Sequence, residues 1–448
     1  MTILNSATIY LHPLGCAKNT VNSEQMLALL AGAGYQITAN PLEADAAIVN
    51  TCGFIDSAKS EAIDIILQLA ALKEEGQLKA LIVAGCLAQR YHGDIPSEIP
   101  EVDAVLGVGS YTDIVAAVDT ALSREAAPGQ PELWLASKES ADLDGGRVLL
   151  NPPYWAWLRI AEGCDNRCAY CAIPEIRGPF RSRSVERIVD EAKTLVDMGA
   201  KELILIAQDT TRYGLDRYGR LALLDLIKAL ESIEGLRWLR IHYLYPDEID
   251  DALLEHIASS HKVLHYFDIP IQHIADPVLA AMNRRGDSAL IRRRIAQIRR
   301  LCPDAIIRTS LIVGFPGERQ SDFEELHGFL QQNKLERVGI FCYSQEEGTA
   351  AAAMAGQVPE AVKRQRQESL YALQQDIMEA HGESLRGKTL TVLCCGVDEN
   401  GRGWGRSYMD SPDVDGAVFF EGGTEGEFSA VRILWADGCD LYGELVAK

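Results

Sequence analysis

Several features of specialised proteins are absent from this sequence of 448 residues. No run of about 18 apolar residues occurs, so we expect no membrane-spanning helix. The first residues show no basic stretch followed by a long apolar one, so we expect no secretory signal and a cytoplasmic protein. Basic residues are outnumbered by acidic ones. The chain has 43 lysines and arginines and 64 aspartates and glutamates, which gives a formal net charge of −21. General affinity for nucleic acid depends on clustered cations, so this balance disfavours a nucleic-acid binder and suits a basic partner.

Cysteine is present but sparse, with 11 residues in the chain. That density is too low for a disulfide scaffold, and thiols in a protein without an export signal are mostly reduced. The cysteines are then core residues, nucleophiles or metal ligands, and their spacing decides among these roles.

Hydrophobic periodicity divides the chain into three segments and a linker. Residues 1–123 alternate four short apolar strands with amphipathic helices, which predicts a parallel sheet covered by helices. Residues 124–149 are polar and contain proline and glycine turns, which is typical of a linker. Six further βα units in residues 150–383 predict a partial (βα)6 barrel. Residues 384–448 alternate short strands with glycine and aspartate turns, so the predicted fold class is α/β followed by a small all-β barrel.

Three cysteines follow the first strand of the predicted partial barrel. Cys164, Cys168 and Cys171 have the spacing C-x3-C-x2-C, and working residues of such barrels lie at the carboxyl ends of the strands. Three thiolates can hold three irons of a 4Fe–4S cube and leave the fourth iron open to a substrate. Zinc is an alternative, although a structural zinc site takes four ligands and no second pair follows here. Three unconnected core cysteines are the other alternative.

A second set of cysteines is spread over the first segment. Cys16, Cys52 and Cys86 each follow a predicted strand by one or two residues. The carboxyl ends of parallel strands meet at one edge of a sheet, so these thiols can converge in space. A glycine next to each cysteine lets the backbone crowd a bulky group. A metal site and ordinary buried cysteines of an α/β core are the two interpretations.

The spacing of Cys164, Cys168 and Cys171 resembles the radical S-adenosylmethionine (SAM) motif, and nearly the whole chain resembles the methylthiotransferases of that superfamily. The matching stretches are residues 14–19 (Leu-Gly-Cys-Ala-Lys-Asn), 50–54 (Asn-Thr-Cys-Gly-Phe) and 85–90 (Gly-Cys-Leu-Ala-Gln-Arg), followed in order by the cysteine motif and a tail of the TRAM type. The resemblance implies two 4Fe–4S clusters, each with three cysteine ligands and one open iron. It also implies two molecules of SAM per turnover. One methylates a sulfur on the N-terminal cluster, and the other is cleaved to a radical that attacks the substrate.

Six further residues are candidates for contact with SAM: Tyr170, Gln208, Asp209, Gly314, Pro316 and Gly317. The tyrosine fills the aromatic position before the third cysteine, which the resemblance places beside the adenine. The glutamine and the aspartate end the second barrel strand and by that position face the pocket. The last three form a turn in which glycine lets the backbone approach a ligand. A plain strand-to-helix turn is the alternative for these three.

Four stretches resemble the branch of the family that modifies a ribosomal protein, namely residues 50–59, 208–214, 268–273 and 405–416. The implied reaction replaces a β-carbon hydrogen of an aspartate in small-subunit ribosomal protein twelve, free or in the ribosome, with a methylthio group. Methylthiolation of an adenosine in transfer RNA is the alternative. Residues 384–448 hold six basic and eleven acidic residues, which makes a poor RNA surface. Three aspartates of this tail would suit a cationic ribosomal protein, or they only make turns: Asp410, Asp413 and Asp415.

The implied reaction also needs an external sulfur source and a low-potential electron donor such as flavodoxin or ferredoxin. An arginine run in residues 292–300 could contact RNA, although such a run is more often a solvated helix face. His273 follows the fourth barrel strand, where a lone histidine is more often structural than catalytic. Cys394 and Cys395 depart from the family pattern, and we interpret them as ordinary thiols. A non-catalytic iron–sulfur or zinc module is the alternative of another class, and it predicts no cleavage of SAM.

Overall fold

The computed structural model describes residues 7–123, 129–139 and 142–446. Among these residues, two parallel sheets of six strands are followed along the chain by a closed barrel of five strands. The predicted fold class, α/β with a small C-terminal β barrel, is therefore confirmed. No helix within the described ranges is long and apolar enough to cross a membrane.

The first unit is a parallel sheet with helices on both faces. Its strands are β1 (Thr8–Pro13), β2 (Gln36–Thr38), β3 (Ala46–Thr51), β4 (Ala80–Gly85), β5 (Ala104–Leu106) and β6 (Glu132–Trp134). Its helices are α1 (Ala17–Gly32), α2 (Asp56–Glu74), α3 (Cys86–Tyr91), α4 (Ile95–Glu98) and α5 (Ile114–Ser123). The strand order is β2-β1-β3-β4-β5-β6, and every residue of the central strands β3 and β4 is buried. Such continuous apolar runs are expected where helices cover both faces of a parallel sheet.

Two strands of this sheet differ from the sequence prediction. The edge strands β2 and β6 are three residues long and partly exposed, so they carry no apolar alternation that would reveal them. Strand β6 lies inside the stretch interpreted as a linker and pairs in parallel with β5.

The second unit is a parallel sheet whose main strands follow one another in chain order. Its strands are β7 (Trp155–Arg159), β8 (Ala161–Glu162), β9 (Arg181–Ser182), β10 (Glu202–Ile206), β11 (Trp238–Ile241), β12 (Val263–Asp268), β13 (Ile306–Val313) and β14 (Arg337–Cys342). Its helices are α6 (Ile173–Arg177), α7 (Val185–Asp197), α8 (Leu215–Tyr218), α9 (Leu223–Glu231), α10 (Asp251–Ser259), α11 (Asp276–Ala281), α12 (Ser288–Leu301), α13 (Gln320–Asn333) and α14 (Glu360–Leu385). The main sheet runs β7-β10-β11-β12-β13-β14, while β8 and β9 form a separate antiparallel pair. The described strands leave β7 and β14 unjoined, so this unit is a partial barrel.

The third unit is a closed β barrel. Its strands are β15 (Thr389–Val397), β16 (Arg402–Arg406), β17 (Val418–Glu421), β18 (Phe428–Asp437) and β19 (Asp440–Leu445). They close in the order β15-β16-β17-β19-β18. Cys394 and Cys395 lie on β15 and are buried.

One apolar cluster joins the three units on the inner face of the partial barrel. Trp157 and Ile204 from the barrel strands pack there with Val21 of α1 and with Val392 and Met409 of the tail. Helix α1 and the tail therefore cover the inner face. Because Cys16 stands immediately before α1, this packing brings the carboxyl edge of the first sheet to the partial barrel.

Candidate iron–sulfur and S-adenosylmethionine site

Cys164, Cys168 and Cys171 lie on the loop between β8 and α6, beyond the carboxyl end of β7. Cys164 and Cys168 are buried and Cys171 is half-buried. The loop is folded by its own hydrogen bonds, since Cys171 N donates to the Cys168 carbonyl at 3.1 Å and Ile173 N donates to Cys171 Sγ at 3.4 Å. The three thiols therefore share one short, folded loop at the mouth of the partial barrel.

Burial disfavours the thiolate form of two residues of this first triad, Cys164 and Cys171. Burial raises the pKa of Cys164 and of Cys171 to about 12, and repulsion from neighbouring thiolates adds to the effect. Arg284 opposes it for the thiol of Cys171, and its Nη1 donates to Cys168 Sγ at 3.6 Å. A bound metal deprotonates a coordinating thiol outright, so metal loading releases protons here.

Cys16, Cys52 and Cys86 lie at one edge of the first sheet. Cys16 stands between β1 and α1, Cys52 directly follows β3, and Cys86 begins α3 directly after β4. The register pairs Pro13 with Asn50 and Thr51 with Gly85, so the ends of these neighbouring strands are level. Burial raises the pKa of Cys52 to about 11, with further contributions from Cys86 and Cys16, and burial also raises the pKa of Cys86.

Glycines allow the three loops of this second triad to touch. A Cβ added at Gly15, where φ is +92°, would lie 2.8 Å from Cys52 Cβ and 3.2 Å from its Sγ. A Cβ added at Gly53 would lie 2.7 Å from Leu87 N and 2.9 Å from the carbonyl carbon of Cys86. Neither methyl group fits, so the loops pack together only with glycine at these positions. The donor set at this edge consists of three thiols with backbone crowded around them, which fits a compact iron–sulfur group.

Arg177, the last residue of α6, connects the two triads. Its Nη1 donates to Glu162 Oε2 at 2.9 Å, and Glu162 stands two residues before Cys164. Its Nη2 donates to Cys86 Sγ at 3.3 Å and to Asn19 Oδ1. The Asn19 amide in turn donates to Thr51 O at 2.8 Å, directly before Cys52. A single buried guanidinium therefore contacts both cysteine regions.

The sequence analysis missed this connection. Burial alone would raise the pKa of Glu162, but Arg177 and Arg159 outweigh it and lower the value to about 2. The Gln208 side-chain amide donates to Glu162, and its contact with SAM stays a prediction. The one signal for Glu162 in the sequence is its position just before Gly163 and Cys164, and no periodicity marks Arg177.

Asp209 is fully buried behind the first triad. Its carboxylate accepts hydrogen bonds from Asn166 at 2.8 Å and from Thr211 at 2.5 Å, and it pairs with Arg285 at 3.1 Å. Burial raises its pKa to about 6. Because Asn166 lies between Cys164 and Cys168, Asp209 holds the cysteine loop to the end of β10.

The remaining predicted SAM contacts lie near one another. Tyr170 packs against an apolar cluster that includes Phe315, next to the buried Pro316. A Cβ at Gly314 would lie 2.3 Å from Lys363 Cγ, so this glycine packs against α14. Gly317 is exposed, and its N donates to the Gly356 carbonyl at 2.9 Å. Both glycines therefore contact other parts of the protein, and their contact with SAM stays a prediction.

Two of the three tail aspartates are not available for docking, so this part of the prediction is wrong. Asp410 is buried and pairs with Arg337 at 3.0 Å. The carboxylate of Asp415 is nearly enclosed and accepts a hydrogen bond from Tyr266 at 2.6 Å. Only Asp413 of the three is exposed, at a φ of +68°. Arg337 faces both enclosed carboxylates, and Arg308 lies near that of Asp415.

Ion pairs also occupy much of the arginine run on α12. Arg292 pairs with Glu325 at 3.5 Å, and Arg299 pairs with Glu336 at 2.7 Å. Arg294 lies 3.4 Å from Asp251.

His273 is fully buried, and its Nδ1 accepts a hydrogen bond from Ala275 N at 3.0 Å. These contacts are structural. Within the described residues, no three His, Cys, Asp or Glu side chains are grouped closely enough to hold a single metal ion.

The fold and the cysteine loop at its mouth define a radical SAM enzyme. Residues 158–330 match the radical SAM superfamily, residues 8–107 the uncharacterized protein family UPF0004 and residues 387–446 the TRAM domain. Among solved structures, the radical SAM methyltransferase TsrM from Kitasatospora setae aligns with a TM-score of 0.53 at 13% identity, covering 75% of this chain and 73% of its own. At that identity the likeness concerns the fold alone.

Curated relatives give the narrower family. The ribosomal protein uS12 methylthiotransferase RimO of Pelotomaculum thermopropionicum is 48% identical over 97% of this chain and 98% of its own. The protein of the same name from Acetivibrio thermocellus is 45% identical over 97% of each chain. This chain belongs to the family of ribosomal protein uS12 methylthiotransferases. It is a radical SAM methylthiotransferase that uses iron–sulfur and SAM.

Proposed function

We propose that this enzyme replaces a β-carbon hydrogen of an aspartate in ribosomal protein uS12 with a methylthio group. The observation that carries the proposal is that Arg177 bonds both to Cys86 of the second triad and to Glu162, two residues before Cys164 of the first triad. Sulfur insertion needs a group that generates the radical and a group that holds the sulfur, and on this proposal each triad would hold one of them. The names of the full-length relatives support the choice of substrate.

We assign the first triad, Cys164, Cys168 and Cys171, as the ligands of one 4Fe–4S cluster and Cys16, Cys52 and Cys86 as the ligands of a second. Support comes from the all-thiol donor sets and from the glycines that crowd the second triad. When bound, the first cluster supplies the electron that cleaves SAM, and the second holds the sulfur that is transferred. On this proposal two SAM molecules are used per turnover. An external sulfur source and a low-potential donor such as flavodoxin or ferredoxin complete the reaction.

The protein's own part is to position these groups and to exclude water. Asp209 and Arg284 fix the cysteine loop from two sides. Helix α1 and the tail barrel cover the inner face of the partial barrel, which protects a reactive carbon centre from solvent. We propose functional boundaries at residues 1–123, 150–383 and 384–448, with residues 124–149 joining the first two.

A protein substrate fits the charges better than RNA does. The tail is acidic, and several arginines of α12 are neutralised by partners on the enzyme itself. A transfer-RNA substrate would require a cationic surface that carries many phosphate contacts.

A direct test offers both substrates to the anaerobically reconstituted enzyme. Purified uS12 and transfer RNA are incubated in parallel with SAM, sulfide and a strong reductant, and the products are read by mass spectrometry. We expect a methylthio-sized mass on one aspartate of uS12 and none on any nucleoside. A methylthio-adenosine without a change in uS12 would contradict the substrate assignment, and an absence of 5′-deoxyadenosine would contradict the radical chemistry.

A further inference from the structure

We infer that Arg177 is a positioning residue that ties the sulfur-carrying site to the radical-generating loop and supplies a positive charge to the sulfur ligand Cys86. This inference rests on the proposed function, because it needs a cluster at the second triad. It goes further by assigning a role to a residue outside both sets of cysteines.

The geometry of Arg177 is that of a connection between units. The residue ends α6, a short helix that begins two residues after Cys171. Its side chain is only 2% exposed and crosses from the partial barrel to the edge of the first sheet. There it contacts Cys86 at the start of α3 and Asn19 in the first turn of α1. A shift between the two units would break these contacts together.

Arg177 brings a positive charge to the sulfur of Cys86 and shares its carboxylate partner with a second arginine. Arg159 and Arg177 share the single carboxylate of Glu162, at 3.3 Å and 2.9 Å. The other arm of Arg177 ends on the amide oxygen of Asn19 and on the sulfur of Cys86. A buried guanidinium needs compensation. A metal-bound thiolate at Cys86 provides it through a charge-assisted hydrogen bond.

A cationic donor on a ligand sulfur changes the properties of a cluster. Hydrogen bonds to the sulfurs and local charge set the reduction potential of iron–sulfur groups. Positive charge favours the state with the additional electron. Loss of Arg177 should therefore make the potential of the second cluster more negative.

The experiment compares Arg177→Gln and Arg177→Lys with a matched control, Arg159→Gln. The control also removes an arginine from Glu162, but Arg159 reaches Asn22 and Gln25 rather than a thiol. All variants are made in the full chain, with and without alanine at the cysteines of the first triad, so that the second cluster is observed alone. Iron content and a redox titration followed by electron paramagnetic resonance are the measurements.

We expect Arg177→Gln to give a more negative potential, Arg177→Lys to retain most of the wild-type value, and Arg159→Gln to leave the potential unchanged. If Arg177→Gln does not load iron, the inference predicts that Arg159→Gln loads normally and that lysine restores loading. A wild-type potential in Arg177→Gln, or equal effects of Arg159→Gln, would overturn the inference. These readouts require no substrate. A failure of the proposed substrate would therefore appear separately, as an absence of methylthio-uS12 with potentials shifted as expected.

Discussion

Replacing Gly53 with alanine tests whether the loops of the second triad must touch in order to bind a cluster. The added methyl would lie 2.7 Å from Leu87 N and 2.9 Å from the carbonyl carbon of Cys86. Both atoms belong to backbone, which cannot rotate away as a side chain would. Ordinary contacts between such atoms are about 3.5–4.0 Å, so the two loops must separate by about 1 Å.

The expected loss of stability follows from that separation. Overpacking of this kind costs about 1–3 kcal/mol. Gly53 does not lie in the left-handed region, so the lower entropy of the unfolded alanine chain offsets up to about 1 kcal/mol. We therefore expect the free energy of unfolding to fall by about 1–2 kcal/mol. Because Cys52 lies beside Gly53 and Cys86 begins the helix from which that loop moves away, we also expect the second cluster to be lost.

Urea unfolding of the apoprotein and iron analysis of the reconstituted protein measure the two effects. On the proposed function the wild-type chain binds about eight iron atoms and Gly53→Ala about four. The matched control is Gly32→Ala at the end of α1, where no atom lies within 4 Å of the added methyl. It should keep its iron and be as stable as the wild type or slightly more so. The reasoning is refuted if Gly53→Ala matches Gly32→Ala in both measurements.

Three further predictions concern other parts of the molecule. Cys168→Ala should abolish both 5′-deoxyadenosine and the methylthio product, whereas Cys52→Ala should keep some SAM cleavage and lose the product. Chromatography measures 5′-deoxyadenosine and mass spectrometry measures the methylthio product. Full product from Cys52→Ala would contradict the two-cluster proposal. Asp410→Ala should lower the free energy of unfolding in urea by about 3 kcal/mol, because it leaves Arg337 buried without its close partner. A change under about 0.5 kcal/mol would show that this ion pair does not stabilise the packing of the tail on the partial barrel. Burial lowers the pKa of His273 to about 4, below the unfolded value of about 6.5. Between these two pH values the unfolded state binds more protons than the folded state. The free energy of unfolding should therefore fall by up to about 3 kcal/mol as the pH falls from about 6.5 to about 4. His273→Gln should flatten that part of the curve in urea titrations at several pH values, and an unchanged slope would disprove the assignment.

The parallel sheets of the first two units could be predicted, because a chain that alternates strands and helices can form only a few sheet topologies. That topology also implies that Cys16, Cys52 and Cys86 lie at one sheet edge, although 70 residues separate the first from the last. The short edge strands β2 and β6 were missed because three half-exposed residues carry no periodic signal.

Contacts between units could not be predicted in the same way. Aspartates in a loop usually face solvent or make turns, so the sequence predicts that Asp410 and Asp415 lie at the surface. They are buried because barrel strands present Arg337 and Tyr266 to them. Arg177 was missed for the same reason, since its partners Cys86 and Asn19 are distant in sequence.

Mass spectrometry of a strain that lacks this protein, and of the same strain with the gene restored, tests the central claim most directly. The measurement covers the ribosomal proteins and the nucleosides of transfer RNA together. We predict that a methylthio-sized mass disappears from one aspartate of uS12 and returns on complementation, with no change in any nucleoside. An unmodified uS12 in both strains, or the loss of a methylthio-adenosine instead, would contradict the proposed function.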